Sequence, residues 1–106
     1  MTGRLANGRA SWHYVEMVRR RVVFQGRVQG VGFRARAQNA AGAHPVTGWV
    51  RNESDGTVTL EVQGAHEAVD AYLQDLRRRV SGLVDRELAF ETQLVPAEAR
   101  FDIAHA

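Results

Sequence analysis

Residues 26–34 read GRVQGVGFR, and the rest of the chain is organised around this stretch. The hydrophobic run 22–24 precedes it and predicts a covered strand, whereas the alanine-rich run 35–41 follows it and predicts a helix. A glycine-rich turn from a strand into a helix leaves backbone N–H groups unpaired at the helix N-terminus. These groups and the positive end of the helix dipole favour an anion, to which Arg34 could add a bidentate contact.

The hydrophobic periodicities along the chain predict an α+β fold. The order β-α-β-β-α-β, followed by a short terminal strand, is that of a ferredoxin-like split βαβ domain. In this fold two helices cover one face of an antiparallel sheet. The predicted elements are a strand over 22–25, a helix over 33–41, strands over 46–53 and 57–63, a helix over 65–80, and strands over 85–94 and 100–103.

The second predicted strand carries a polar residue in line with the core. Alternation of side chains puts Val50 and Asn52 on one face, and Trp49 and Arg51 on the other. Asn52 thus occupies the end of a strand, just before a tight turn, at a position where the pattern predicts a hydrophobic residue. Considered alone, Asn52 is more simply explained as a turn-initiating residue, and Arg34 as an ordinary arginine on a helix surface.

Length and composition predict one small globular domain with an N-terminal extension. The chain has 106 residues, of which 44% are hydrophobic and 25% charged, as is usual for soluble domains. Residues 1–18 are polar and lack clean periodicity, so we predict a flexible extension over 1–18 and a folded domain over 19–106. Met17 is a plausible alternative start site. The alternative interpretation of the extension is a functional basic arm with Trp12 and Tyr14.

Several functional classes are disfavoured by the composition. The absence of cysteine excludes disulfides and thiolate catalysis, and the four scattered histidines lack metal-ligand spacing. The glycine stretch is neither a Walker A loop nor a dinucleotide-binding fingerprint. A formal charge of +2 is too small to indicate nucleic-acid binding by itself. The sequence has no secretory signal and no apolar run long enough to span a bilayer. We therefore predict a cytoplasmic monomer with no metal, no cofactor, no nucleic-acid partner and no membrane contact.

Three motifs together resemble the acylphosphatase family. These are the glycine stretch 26–34, the strand segment Gly48–Asn52 (GWVRN) and the turn Asp55–Val58 (DGTV). The similarity extends from about Arg20 to Ile103. The resemblance implies the same ferredoxin-like fold. It also implies hydrolysis of the carboxyl–phosphate bond of an acyl phosphate, giving a carboxylate and inorganic phosphate.

The resemblance also implies roles for individual residues. Arg34 would bind the substrate phosphate, and Asn52 would position the attacking water. The backbone N–H groups of the loop would bind the phosphate oxygens, and the loop consists of Gly26, Arg27, Val28, Gln29, Gly30, Val31 and Gly32. The implied partner is a small-molecule acyl phosphate.

Two other classes of function remain as alternatives. Domains that resemble acylphosphatases also occur inside larger carbamoyl-phosphate-handling proteins, where the same loop binds a related ligand; the length of the chain disfavours this interpretation. The other alternative is an RNA-binding ferredoxin-like domain, which needs exposed aromatic residues on the two central strands. We expect Phe24 to be in the core, and the outward residues of strand 57–63 are Thr, Glu and Gln, so stacking of bases is disfavoured.

Overall fold

A computed structural model describes residues 15–105, which form a five-stranded sheet and two helices. The strands are β1 (Met17–Gly26), β2 (Thr47–Asn52), β3 (Val58–Ala65), β4 (Val84–Glu91) and β5 (Phe101–Ile103), and the helices are α1 (Phe33–Ala41) and α2 (His66–Arg79). Most of the predicted N-terminal extension, residues 1–14, lies outside the described residues. The extent of that extension and the choice of start site therefore stay predictions.

The sheet has the strand order β4-β1-β3-β2-β5. Neighbouring strands are antiparallel except for β2 and β5, which run parallel with Val50 opposite Ile103. The predicted ferredoxin-like α+β class is confirmed, and the short last strand makes the sheet mixed rather than wholly antiparallel. No helix among residues 15–105 has the length and apolarity needed to cross a bilayer.

The core lies between the helices and one face of the sheet. Alternate residues of the central strands are fully buried there, and the apolar stripes of both helices pack onto them, as periods of two and 3.6 residues require. Tyr72 of α2 donates a buried hydrogen bond to the Ala37 carbonyl of α1 at 2.9 Å. The main contributors to the core are Val22, Phe24, Val50, Val58, Leu60, Val62, Phe33, Ala37, Ala40, Val69, Tyr72 and Leu76.

Strand β1 begins earlier than the hydrophobic run predicts, because an arginine run forms its first half. The three arginines alternate between the two faces of the sheet. Arg20 lies on the helix side and pairs with Asp70 of α2. Arg19 and Arg21 lie on the other side, which we call the open face. The arginines in the first half of β1 form ion pairs on both faces of the sheet, so this half shows no hydrophobic alternation. The start of the strand could therefore not be predicted from the sequence.

Arg19 is the centre of a buried ion-pair network on the open face, with a residue exposure of only 1%. Its Nε donates to Glu61 at 2.6 Å, and its two terminal nitrogens donate to the Glu98 carboxylate at 2.8 and 3.1 Å. Arg21 donates to the second Glu61 oxygen at 2.8 Å. Burial opposes ionisation of Glu61, but the hydrogen bonds from Arg19 and Arg21 outweigh it and lower the pKa of this carboxyl.

Strand β4 ends at Glu91, three residues before the predicted end at Leu94. Its two large apolar side chains, Leu88 and Phe90, are 43% and 53% exposed. They lie opposite Val23 and Arg21 of β1, which places them on the open face rather than in the core.

Substitution of Arg19 tests whether its ion-pair network stabilises the open face. We expect Arg19→Met to lower the free energy of unfolding by about 3 kcal/mol at neutral pH, because the change leaves buried carboxylates without their partner. Urea denaturation measures this difference. Arg100→Met is the matched control, since Arg100 is 81% exposed in its pair with Asp102 and should change stability by less than about 0.5 kcal/mol.

The pH dependence of this difference in stability provides a second test of the role of Arg19. A carboxyl whose pKa is lowered in the folded state contributes stability above its ordinary pKa of 4.5, and this contribution is lost as the pH falls. The difference between wild type and Arg19→Met should accordingly shrink as the pH falls below 4.5 and Glu61 becomes protonated. A difference that stays constant with pH, or an equal loss in both variants, would contradict the role of Arg19.

Candidate active site

The loop between β1 and α1 has a conformation that requires glycine at two positions. Gly30 and Gly32 adopt φ values of 74° and 78°, in the left-handed region that L side chains rarely occupy. A Cβ atom added at either position would meet no atom within 4 Å. The requirement therefore comes from the direction of the backbone and not from lack of space. The turn at Gly32 lets α1 begin at Phe33.

The N-terminus of α1 is open to an anion. Gly32 provides no side-chain cap, and the first turn of the helix contains no acidic residue. The first hydrogen bond of the helix runs from the Arg36 N–H to the Gly32 carbonyl at 3.0 Å. The N–H groups before Arg36 consequently have no acceptor within the helix, and together with the helix dipole they favour negative charge at this point.

Arg34 adds a full positive charge to this N-terminus. Its side chain is half-buried. Within the part of the chain that the structure describes, Arg34 forms no ion pair with an acidic side chain, whereas Arg19, Arg20 and Arg21 all do. An unneutralised guanidinium in the first turn of a helix is suited to fork-like binding of an oxyanion.

Asn52 reaches the same region from the end of β2. It lies opposite Val58 of β3 and on the helix side, two residues after the fully buried Val50, as the strand period predicts. Its Oδ1 is the only buried side-chain polar atom among residues 15–105 without a hydrogen-bond partner. A buried acceptor without a donor is costly in a protein, so its presence indicates a donor from outside the chain.

A cavity of about 480 Å³ joins these groups, and Arg34 and Asn52 both line it. Three residues of the predicted loop, Val28, Gly30 and Gly32, also face it. The remaining lining residues are Phe33, Ala35, Ile103 and His105.

The other four residues of the predicted loop do not line the cavity. Gly26 belongs to β1, where an added Cβ would lie 2.5 Å from the Leu83 carbonyl oxygen. Arg27 is exposed, and Val31 packs against the edge of the core. The Gln29 side chain turns towards the turn between β2 and β3.

Four lining residues were not predicted as site residues: Phe33 and Ala35, which adjoin Arg34 in the chain, and Ile103 and His105, which are distant from it in sequence. The Ala104 N–H donates to the Val50 carbonyl at 2.8 Å and keeps β5 in parallel register with β2. This register carries the chain after Ile103 alongside the end of β2. The alternation of Phe101 and Ile103 shows that β5 is a strand, but it carries no information about which strand is its partner.

A larger groove of about 780 Å³ lies at the other side of β2 and β5. Its main charged residues are already paired, because Arg51 contacts Glu53 at 3.0 Å and Arg100 contacts Asp102 at 3.4 Å. Trp49 in this groove is covered by the Arg51 guanidinium at 4.7 Å from the ring centroid. The groove thus offers less free charge to an anion than the cavity at Arg34. Residues 15–105 contain no group of three or more His, Asp or Glu side chains arranged to hold a metal ion.

The fold defines a ferredoxin-like domain with a glycine-rich loop beside the cavity, and the comparisons identify its family. The family model for acylphosphatase matches residues 20–103. The acylphosphatase of Oceanobacillus iheyensis is 41% identical over 87 residues, which cover 76% of this chain and 96% of that protein. The chain therefore belongs to the acylphosphatase family, whose members are hydrolases that act on acid anhydrides and cleave acyl phosphates.

Solved structures agree with this assignment. The crystal structure of acylphosphatase from Bacillus subtilis matches with a TM-score of 0.75 and 29% identity, over 84% of this chain and 99% of that one. The structure of T. kodakarensis HypF matches with a TM-score of 0.74 and 26% identity, over 86% of this chain but only 12% of that one. The same fold thus occurs both alone and as a small part of a larger chain.

The geometry of the cavity predicts that inorganic phosphate binds to the free protein. At a phosphate concentration about a hundredfold above Kd, the free energy of unfolding should rise by about 2.7 kcal/mol. Thermal unfolding with and without phosphate measures this effect. Arg34→Ala should remove most of the stabilisation, whereas Arg36→Ala, which removes the same charge from the exposed side of α1, should keep it. Equal stabilisation of both variants would show that phosphate binds elsewhere.

Proposed function

We propose that the chain hydrolyses acyl phosphates in the cavity between the loop 27–32, the start of α1 and the end of β2. The observation that carries this proposal is the joint presence of an unneutralised cation, Arg34, and a buried acceptor without a donor, Asn52 Oδ1, at one cavity. The first group suits the phosphoryl oxygens, and the second suits a water molecule.

The chemistry of the substrate explains why these two groups suffice. An acyl phosphate is a mixed anhydride whose leaving group is a carboxylate, so the enzyme need not supply a strong acid. Catalysis then consists mainly of positioning the reactants and stabilising charge on the phosphoryl oxygens. Arg34 and the N–H groups of the loop and of the first turn of α1 stabilise that charge. The Asn52 amide accepts a hydrogen bond from the water and aligns it for in-line attack.

The proton of the attacking water needs an acceptor other than Asn52, because a neutral amide is a poor base. We propose that it passes to an oxygen of the substrate phosphate itself. The new P–O bond then forms as the bond to the carboxylate breaks, and the products are a carboxylate and inorganic phosphate. The charge that develops is stabilised by Arg34, and the proposed mechanism uses neither a metal nor a cofactor.

The open face supports this function over RNA binding. A base-stacking platform needs free aromatic residues on the central strands with a basic surround. In this chain the centre of the face is occupied by Glu61 and its arginine partners, and Trp49 is covered by Arg51 and Arg21. We accordingly propose a small-molecule acyl phosphate as the partner, with no nucleic acid. We also propose that the protein works as a cytoplasmic monomer.

Substitution of the two proposed catalytic residues tests the function. Arg34→Ala and Asn52→Ala should each lower kcat/KM for acetyl phosphate by at least about a hundredfold, as the loss of a preorganised stabilising group does. Arg34→Ala should also weaken competitive inhibition by inorganic phosphate, whereas Asn52→Ala should leave it nearly unchanged. Steady-state assays with a chelator present measure both effects, with Arg36→Ala and Asn39→Ala on the exposed side of α1 as controls. Normal turnover by both folded variants would refute the assignment.

The pH–rate profile tests the proposed path of the proton. If the substrate phosphate accepts it, kcat should show no inflection from an enzyme base between about pH 5.5 and 8. His105 is the one histidine among the cavity-lining residues and is therefore the alternative candidate for a general base. An inflection in this pH range that disappears in His105→Gln would show that His105, and not the substrate phosphate, accepts the proton.

A further inference from the structure

The Gln29 side chain connects the loop to the neighbouring hairpin. Its Nε2 donates to the Glu53 carbonyl at 2.7 Å and to the Thr57 carbonyl at 2.9 Å. These two carbonyls flank the turn between β2 and β3, and the Glu53 N–H also donates to the Thr57 carbonyl at 2.9 Å. One amide nitrogen with two hydrogens therefore spans the base of the turn. A carboxylate or an apolar side chain of the same length cannot replace it, because neither donates a hydrogen bond.

The position of this contact matters because Asn52 lies directly beside it. Glu53 follows Asn52 in the chain, and Thr57 precedes Val58, the residue paired with Asn52 across the ladder. Gln29 is consequently hydrogen-bonded to the residues adjacent to Asn52 and to its partner Val58. Its own backbone belongs to the loop that faces the phosphate.

The sheet holds the end of β1 against Asn52, because Phe24 and Asn52 both lie opposite Val58 of β3, but the ladder ends at Gly26 and does not hold the loop that follows. The loop follows β1 and Asn52 ends β2, but β3 lies between these two strands. No backbone ladder therefore joins β1 to β2, and the side-chain bonds of Gln29 are a direct hydrogen-bonded link between the two halves of the cavity. A displacement of about 1 Å between reacting groups can cost about a hundredfold in rate.

We propose that Gln29 is a positioning residue that holds the Asn52 amide at the correct distance from the loop-bound phosphate. This inference rests on the roles of Asn52 and the loop given under the proposed function. Gln29 acts through Asn52 and not on the substrate, because the bonds of its amide nitrogen are directed to the two carbonyls of the hairpin. Its loss should therefore affect the chemical step more than the binding of phosphate.

The test compares Gln29→Met, which keeps the length of the side chain but removes its donors, with wild type. Gln29→Asn is a second variant, since it keeps the amide but is one methylene too short to span both carbonyls. Each should lower kcat for acetyl phosphate by about tenfold, while the inhibition constant of inorganic phosphate changes by less than about twofold. Gln38→Met is the matched control, because Gln38 also donates to a carbonyl, that of Phe101 at 3.2 Å, without touching the hairpin.

A double-mutant cycle with Asn52→Ala separates positioning from a general structural effect. If Gln29 acts through Asn52, Gln29→Met should have almost no further effect on kcat in the Asn52→Ala background. A loss of the same size in both backgrounds would overturn the inference, as would normal kcat in both Gln29 variants or a rise in the phosphate inhibition constant that matches the fall in kcat. If Asn52→Ala alone retains wild-type turnover, the proposed function of Asn52 fails first, and this single variant reveals it.

Discussion

The cavity depends on bringing the end of β1 and the end of β2 together across a strand that separates them. Pairing with β3 places Phe24 and Asn52 opposite the same residue, Val58, but the ladder ends at Gly26 and therefore does not set the position of the loop relative to Asn52. The loop is instead held from two sides. Val28 is buried in the core, and Gln29 is hydrogen-bonded to the hairpin. The left-handed conformations of Gly30 and Gly32 allow both contacts to be made within a few residues.

The arginines of β1 and Arg34 differ in whether a carboxylate neutralises them. The arginines of β1 are all neutralised by carboxylates, and the Arg19 network is almost completely removed from water. Arg34 is half-buried and unpaired with any acidic side chain among residues 15–105, so its field is directed into the cavity. A buried ion pair adds little stability over apolar residues of the same volume, although breaking it is costly, and the Arg19 network also holds Glu98 against the sheet. Arg19 and Arg21 lie on the open face and Arg20 is paired with Asp70, so none of them shares a carboxylate with Arg34.

The hydrophobic periodicities predicted most of the fold. The predictions failed where a contact joins residues that are distant in sequence. The period of two placed Asn52 on the core side of β2, and the glycine stretch located the start of α1 at Phe33. The start of β1 was missed because Arg19 and Arg21 contact Glu61, which is distant in sequence. The contact of Gln29 with the hairpin and the pairing of β5 with β2 are also long-range, so no local pattern encodes them. The left-handed φ values could be anticipated only as a property that glycine permits.

The parallel pairing of β5 has a consequence for how the domain is completed during synthesis. A chain emerges from the ribosome in order from its N-terminus, and β5 follows both helices and the other four strands. The loop, Arg34 and Asn52 all belong to earlier segments, whereas Ile103 and His105 reach the cavity only through β5. One wall of the cavity is therefore synthesised only after the loop, Arg34 and Asn52, so the cavity cannot be complete before the last strand has been made.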